Sequence, residues 1–178
     1  SKKVKLHTHL CETLDEERFC EEVYGMRPLE FAKKTGVFGN DTWYAHGIHF
    51  NDEELKELAA SQTGIAHCPI SNMKLSSGIC RVSEMVKLGV PLSLAVDGSA
   101  SNDGSNMLEE LRVAFLLHRL RSSKDAPSAA KLLEIATLGG AKILGMDKYI
   151  GSLEEGKAAD LFMVDVDNLD YVGAYDDP

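Results

Sequence analysis

Four short apolar runs that alternate with helix-like segments limit most strongly how this chain can fold. The runs cover residues 4–10, 43–49, 65–69 and 92–96, and each is followed by apolar residues at helical spacing. Strands that alternate with helices through short connections form right-handed βαβ units around a parallel sheet. The sequence therefore predicts an α/β fold, in which four such units make half of an eight-stranded barrel.

The spacing of apolar residues and the positions of proline and glycine also predict the helices. We expect residues 71–78 to form a polar loop, Gly139 and Gly140 to separate the last two helices, and residues 150–164 to form a turn followed by a strand. The predicted helices cover residues 14–24, 28–34, 53–61, 81–88, 106–120, 128–138 and 141–144.

Composition restricts the class of protein further. The chain has 178 residues, of which 44% are hydrophobic and 26% charged, as in an ordinary globular domain. Its net charge of −9 argues against nucleic acid and anionic membranes as partners. No apolar run approaches membrane-spanning length, and the first residues contain no signal-peptide core. The four cysteines form no C-x-x-C pair, so we expect a reduced, cytoplasmic compartment.

Each of the four predicted strands ends with a residue suited to chemistry. His9 is followed by Glu12 at the first strand, and His46, His67 and Asp97 follow at the next three. In a barrel the carboxyl ends of successive strands converge on one mouth, where such enzymes assemble their sites. Imidazole ligands for a metal and carboxyl groups that move protons are the parts of a metal-assisted hydrolase.

The other histidines and Cys11 have less specific interpretations. His7 alternates with His9 and so shares its face of the strand, where it either lines a substrate pocket or fills a layer inside the barrel. Cys11 is expected to face the opposite side and to pack in the core. His49 and His118 are expected to be surface or helix-face residues.

Four motifs, in order, resemble the second half of amidohydrolase-superfamily deaminases, in the branch that contains cytosine, guanine, 8-oxoguanine and hydroxytriazine deaminases. The resemblance implies strands 5–8 of the (β/α)8 TIM barrel of a metal-dependent hydrolase in residues 1–149. Residues 150–178 would then lead from the barrel back into a small β domain, of which this chain contains only a part. The motifs are His9-Leu-Cys-Glu12-Thr, Tyr44-Ala-His46-Gly, His67-Cys-Pro-Ile-Ser-Asn72 and Val96-Asp97-Gly-Ser-Ala-Ser-Asn102-Asp.

The resemblance also implies residue roles. His9 and Asp97 would bind one divalent metal, zinc or iron with zinc preferred, and Asp97 would take a proton from the attacking water. Glu12 would carry protons to the ring nitrogen and the leaving amine, and His46 would contact the substrate carbonyl or the water. His7 and His67 are further candidates for binding substrate; the alternative for His67 is a histidine that is hydrogen-bonded beneath the Ser71-Asn72 loop.

One departure from the family pattern concerns the metal ligands. The family takes two further ligands from a His-x-His on its first strand. His7-Thr8-His9 is not that pair, because Glu12 follows His9 in the fifth-strand pattern and only three strand–helix units separate this stretch from Asp97. The chain thus carries two of the four expected protein ligands.

Substrate and assembly remain open at this point. Three segments resemble 8-oxoguanine deaminases most: the residues directly after Asp97, Leu108-Glu-Glu-Leu-Arg, and residues 171–178. Isoxanthopterin and hydroxytriazine aminohydrolases are the alternatives. A binuclear amide or ester hydrolase and a non-catalytic barrel fragment are further alternatives. Half a barrel exposes a sheet edge, so we expect either a homo-oligomer or a piece of a longer chain.

Overall fold

One parallel sheet forms the centre of the structure. The computed structural model describes residues 4–167. The strands lie side by side in chain order, and every neighbouring pair is parallel, so the predicted α/β architecture is confirmed. The four strands are β1 (Leu6–Leu10), β2 (Thr42–His46), β3 (Gly64–His67) and β4 (Leu92–Leu94).

Helices follow each strand, and their ends carry recognisable capping residues. Thr13 accepts a hydrogen bond from the Glu16 N–H, and Asn51 forms a capping box with Glu54. A π-helical turn, Ile135–Gly139, joins the last two helices. The helices are α1 (Leu14–Tyr24), α2 (Pro28–Lys34), α3 (Asp52–Ser61), α4 (Pro69–Lys74), α5 (Val82–Leu88), α6 (Ser99–Asn102), α7 (Met107–Arg121), α8 (Ala129–Glu134) and α9 (Gly140–Leu144).

The two faces of the sheet differ in residue size. Tyr44, Ile65 and Leu92 lie in register across β2, β3 and β4, and all three are buried in the main apolar core. The next row of the sheet holds His9, Ala45, Ala66 and Ser93, also in register. Because side chains alternate along a strand, this row points away from the core, and its small residues leave room beside the His9 ring.

Helix α4 and the α8–α9 segment correct two predictions. Residues 71–74 are helical rather than part of a loop, because Pro69 occupies the first turn of α4 and presets its helical backbone. Gly139 and Gly140 do not break the chain into two helices. Both have right-handed helical φ and ψ, so residues 129–144 are helical throughout.

The ends of several strands also differ from the predictions. β2 ends at His46, whose φ is +70°, and β4 ends at Leu94 instead of Val96. Residues 161–164 form no strand, because no described strand pairs with them, and Phe162 and Met163 are exposed. Of the predicted segment 150–178, residues 168–178 lie outside the described part. Within residues 4–167, no helix is both long and apolar enough to cross a membrane.

Candidate active site at the carboxyl ends of the strands

Three residues at the carboxyl end of the sheet have left-handed backbone conformations. The φ angles are +54° at Cys11, +70° at His46 and +64° at Asp97. Residues other than glycine rarely adopt such angles, and the strain concentrates at functional sites. The turn at Cys11 buries its own side chain in the core, as predicted, and brings Glu12 back towards the strand end.

His9, His46 and Asp97 converge on one point. Each offers one possible ligand atom, and these atoms all lie within 4.8 Å of one another. The imidazole rings of His9 and His46 are stacked with centroids 5.2 Å apart, and His46 Nε2 lies 3.9 Å from Asp97 Oδ2. The sequence assigned His46 to substrate or water, but its position also makes it a third possible metal ligand.

Glu12 lies beside this cluster. Its Oε2 atom is 3.5 Å from His46 Nε2, and its Oε1 atom accepts a hydrogen bond from Ser77 Oγ at 3.2 Å. About a fifth of the Glu12 side chain is exposed, whereas His46 is buried. A partly exposed carboxyl group next to convergent ligands can exchange protons both with solvent and with a bound molecule.

One short segment, α4 with the turn that follows it, contacts three of the four site residues. Ser71 Oγ donates to Asp97 Oδ2 at 2.6 Å, Asn72 Oδ1 lies 2.8 Å from His46 Nδ1, and Ser77 contacts Glu12. Sequence reasoning assigned no site role to Ser71, Asn72 or Ser77. The available signal was Pro69, which marks the start of a helix directly after a strand end.

The environment of Asp97 favours its charged form. Burial by itself would raise the pKa of this carboxyl group, but hydrogen bonds from Ser71, the Gly98 N–H and Ser101, together with His46, lower it below the usual value. Asp97 is therefore ionised at neutral pH, as a metal ligand or proton acceptor must be.

The two histidines predicted only to bind substrate occupy different environments. His7 is exposed and stacks on Trp43 with ring centroids 4.9 Å apart, while its ring centroid lies 6.0 Å from that of His9. His67 is not brought to the cluster. It follows Ile65 by two residues on β3 and therefore shares the core-facing side of the strand. Its Nε2 atom lies 3.1 Å from Nε2 of His118 on α7.

His118 lies on a helix face, one of the two predicted alternatives, but that face of α7 is buried and not at the surface. Only 1% of this residue is exposed, and it packs against His67 between α7 and the sheet. Its burial could not be derived from the α7 sequence, because the helix carries apolar residues on more than one side.

The donor set of the cluster fits a divalent metal of the zinc type. Two imidazoles and one carboxylate are ligand types that zinc takes in catalytic sites, where three protein ligands leave a position for water. The left-handed turns direct the three side chains to one point, as a site of this kind needs. Fold and donor set together define an α/β protein with a candidate metal centre at the carboxyl ends of its strands.

Comparison with known proteins identifies the family to which this α/β protein belongs. Residues 1–177 match the Amidohydrolase family, and the chain belongs to that family. It is 49% identical over 173 residues to 8-oxoguanine deaminase of Pseudomonas aeruginosa, covering 97% of this chain and 38% of that protein. It is 36% identical over 188 residues to an isoxanthopterin deaminase from an unknown prokaryotic organism, covering 97% and 39%.

A solved structure resembles the fold closely. An adenosine deaminase from Xanthomonas campestris with bound zinc superposes with a TM-score of 0.91 at 35% identity, covering 96% of this chain and 39% of that one. The chain thus spans about two fifths of the length of the relatives it matches. The predicted relationship to this family and its fold is confirmed.

Proposed function

We propose that this chain carries part of the active site of a metal-dependent deaminase that hydrolyses the exocyclic amine of a flat amino-oxo heterocycle. One observation carries the proposal: the ligand atoms of His9, His46 and Asp97 lie within 4.8 Å of one another, with the Glu12 carboxyl group beside them. Deaminases among the relatives, and zinc in the related adenosine deaminase structure, support the same reaction class.

In the proposed reaction the residues of this chain bind, orient and move protons. A divalent metal held by His9 and Asp97, with His46 adjacent, would lower the pKa of a water molecule to about 7 and so supply the nucleophile. Asp97 is fixed by the hydroxyl groups of Ser71 and Ser101 and accepts a proton from the attacking water.

Glu12 carries protons in the remaining steps. Both protons come from the attacking water. Glu12 takes the first and delivers it to the ring nitrogen as the new C–O bond forms, and the second, accepted by Asp97, reaches the amine through Glu12 as the C–N bond breaks and ammonia leaves. The Oε1 atom of Glu12 is held by Ser77, so the Oε2 atom is the one that faces His46 and the reacting groups.

The substrate we propose is 8-oxoguanine, because the most similar relative described above deaminates it. Isoxanthopterin and hydroxytriazines are the alternatives, and the isoxanthopterin deaminase relative favours the former. These molecules differ in a few hydrogen-bonding groups, and removing one such bond changes substrate preference strongly. His7, on the same strand face as His9, is our candidate for lining the ring.

Ammonia release tests the proposal directly. Isoxanthopterin, 8-oxoguanine and adenosine are incubated with the chain and with the longest natural protein that contains it, in the presence of zinc. The proposed function predicts fastest release from 8-oxoguanine by the longest protein tested. Release from none of the three molecules would contradict it, and release only from isoxanthopterin would change the substrate but keep the reaction class.

We further infer a reducing, cytoplasmic location and a homo-oligomeric assembly. The four cysteines, Cys11, Cys20, Cys68 and Cys80, are all free and buried. Within residues 4–167, β1 and β4 each pair on one side only, so both edges of the sheet can pair further. Light scattering on the purified chain tests the assembly; a monomer at micromolar concentration would contradict it.

A further inference from the structure

We propose that Glu110, the central residue of the Leu108-Glu-Glu-Leu-Arg motif, is a positioning residue whose buried carboxylate fixes the two segments that hold Asp97. The first segment is α4, and the second is the loop that follows Asp97 and ends at Ser105. The use of this arrangement for a metal ligand rests on the proposed function, whereas the hydrogen-bonded network itself does not.

The carboxylate of Glu110 joins α7 to both segments. The residue is fully buried, and a charged side chain is rarely found there unless it is paired. Its Oε2 atom accepts a hydrogen bond at 3.3 Å from the N–H of Ile70, in the first turn of α4, and its Oε1 atom accepts one from the side-chain amide of Asn102. The first N–H groups of a helix have no carbonyl partner within that helix, so Glu110 supplies the acceptor for Ile70.

Asn102 extends this constraint to the loop around Asp97. Its Nδ2 atom also donates to the Val96 carbonyl at 2.8 Å, and its Oδ1 atom accepts from the N–H groups of Gly104 and Ser105 at 3.2 and 3.0 Å. Every polar atom of this amide thus has partners, and the reversed amide would place its NH2 group against two N–H donors. The amide orientation is therefore determined, and it fixes the carbonyl that precedes the left-handed turn at Asp97.

The two segments meet at one oxygen atom. Ser71 on α4 and Ser101 on the loop both donate to Asp97 Oδ2, at 2.6 and 3.0 Å. Glu110 bonds to the residue next to each serine in the chain, so it sets the distance between the two hydroxyl groups. Hydrogen bonds of this kind orient a ligand carboxylate, and the groups that supply them affect how tightly the metal binds.

Amide hydrogen exchange of the metal-free chain, followed residue by residue with NMR, tests the network. In wild type the amides of Ile70, Gly104 and Ser105 should be protected. Glu110→Met has a similar length but no oxygen acceptor, so exchange at all three amides should rise about tenfold. Glu109→Met, the same substitution at the exposed neighbouring position, is the matched control and should leave them unchanged.

A milder variant keeps the experiment informative if Glu110→Met does not fold. Glu110→Gln preserves the shape of the side chain but can accept at only one of its two terminal atoms, so exchange should rise in at least one of the two segments. Unchanged exchange in both segments of folded Glu110→Gln or Glu110→Met would overturn the proposal. A rapidly exchanging Ile70 amide in wild type would overturn it without any variant.

Zinc titration into the same variants separates positioning from a general loss of stability. Glu110→Met should weaken zinc binding about tenfold. Glu109→Met should not, and neither should Leu58→Ala, which trims a buried core side chain on α3. An equal weakening by Leu58→Ala would overturn the positioning role. No zinc binding by wild type would contradict the proposed function alone, because the exchange experiment needs no metal.

Discussion

Glu12 is the residue whose substitution should separate turnover from metal binding. Glu12→Gln keeps the shape of the side chain but cannot accept and deliver protons, so we expect ammonia release in the assay proposed above to fall about 10²–10⁴-fold. Zinc binding should persist, because Glu12 is not one of the three convergent ligands. Zinc content and ammonia release are measured on the same preparation.

Asp97→Ala is the variant to compare with Glu12→Gln. It should lose both zinc binding and ammonia release, because it removes a metal ligand and a proton acceptor at once. Normal turnover by Glu12→Gln would show that the proposed proton-carrying role is wrong. Loss of zinc in both variants would mean that Glu12 belongs to the metal ligands.

His118 should make the fold sensitive to acid. Burial lowers its pKa from 6.5 to about 4, with a further lowering by Arg121 and an opposing effect of Glu84. The unfolded chain therefore binds a proton between pH 6.5 and 4 that the folded chain does not, and stability falls as the pH falls through this range. The predicted loss is on the order of 3 kcal/mol.

His118→Gln, which cannot be protonated, removes this contribution, so its urea midpoint should fall less between pH 7 and pH 4.5 than that of wild type. His67, whose pKa is also lowered by burial and by the neighbouring His118 and His46, still adds to the remaining slope. His7→Gln, at an exposed position, is the control. An equal fall in wild type and His118→Gln would contradict the prediction.

At the scale of elements, the junction between the π-helical turn and β4 depends on Gly139. A Cβ atom at Gly139 would lie 2.2 Å from the carbonyl oxygen of Leu92, which belongs to the backbone and cannot move aside. Gly139→Ala should therefore destabilise the fold by about 2 kcal/mol or more. The thermal unfolding midpoint measures this effect.

Gly140→Ala is the matched control, because the nearest atom to its Cβ would be Ser93 Cβ at 3.8 Å, an ordinary contact. Replacing a helical glycine by alanine at such a position should leave stability unchanged or raise it by about 0.5–1 kcal/mol. The same loss of stability in both variants would show that the close approach to Leu92 is not the cause.

Elements with local signals could be predicted well. The bounds of α1 and α2 were predicted correctly, because Thr13, Gly25 and Pro28 mark their ends within the sequence. Helix α4 was missed, because serine and asparagine also favour loops and its side chains make their contacts with distant residues. Its hydrogen bonds to Asp97 and His46 join positions about 26 residues apart, which no local pattern contains.

At the scale of the whole molecule, alternation of strands and helices was enough to predict the fold class, and the order of the motifs was enough to predict the family. His9, Glu12, His46 and Asp97 are brought together as the strand ends suggested. The position of His46 as a third possible ligand could not be predicted, since it follows from a left-handed φ that sequence propensity does not reveal.

Zinc binding by the chain tests most directly whether the convergent side chains form a metal site. Zinc is titrated calorimetrically into the metal-free chain and into His9→Gln, His46→Gln and Asp97→Asn, with His49→Gln as control because its ring contacts Ser77 instead of the cluster. We predict about one zinc per chain, lost in the first three variants and kept in the control. Equal zinc binding by wild type and all three site variants would contradict a metal centre at these residues.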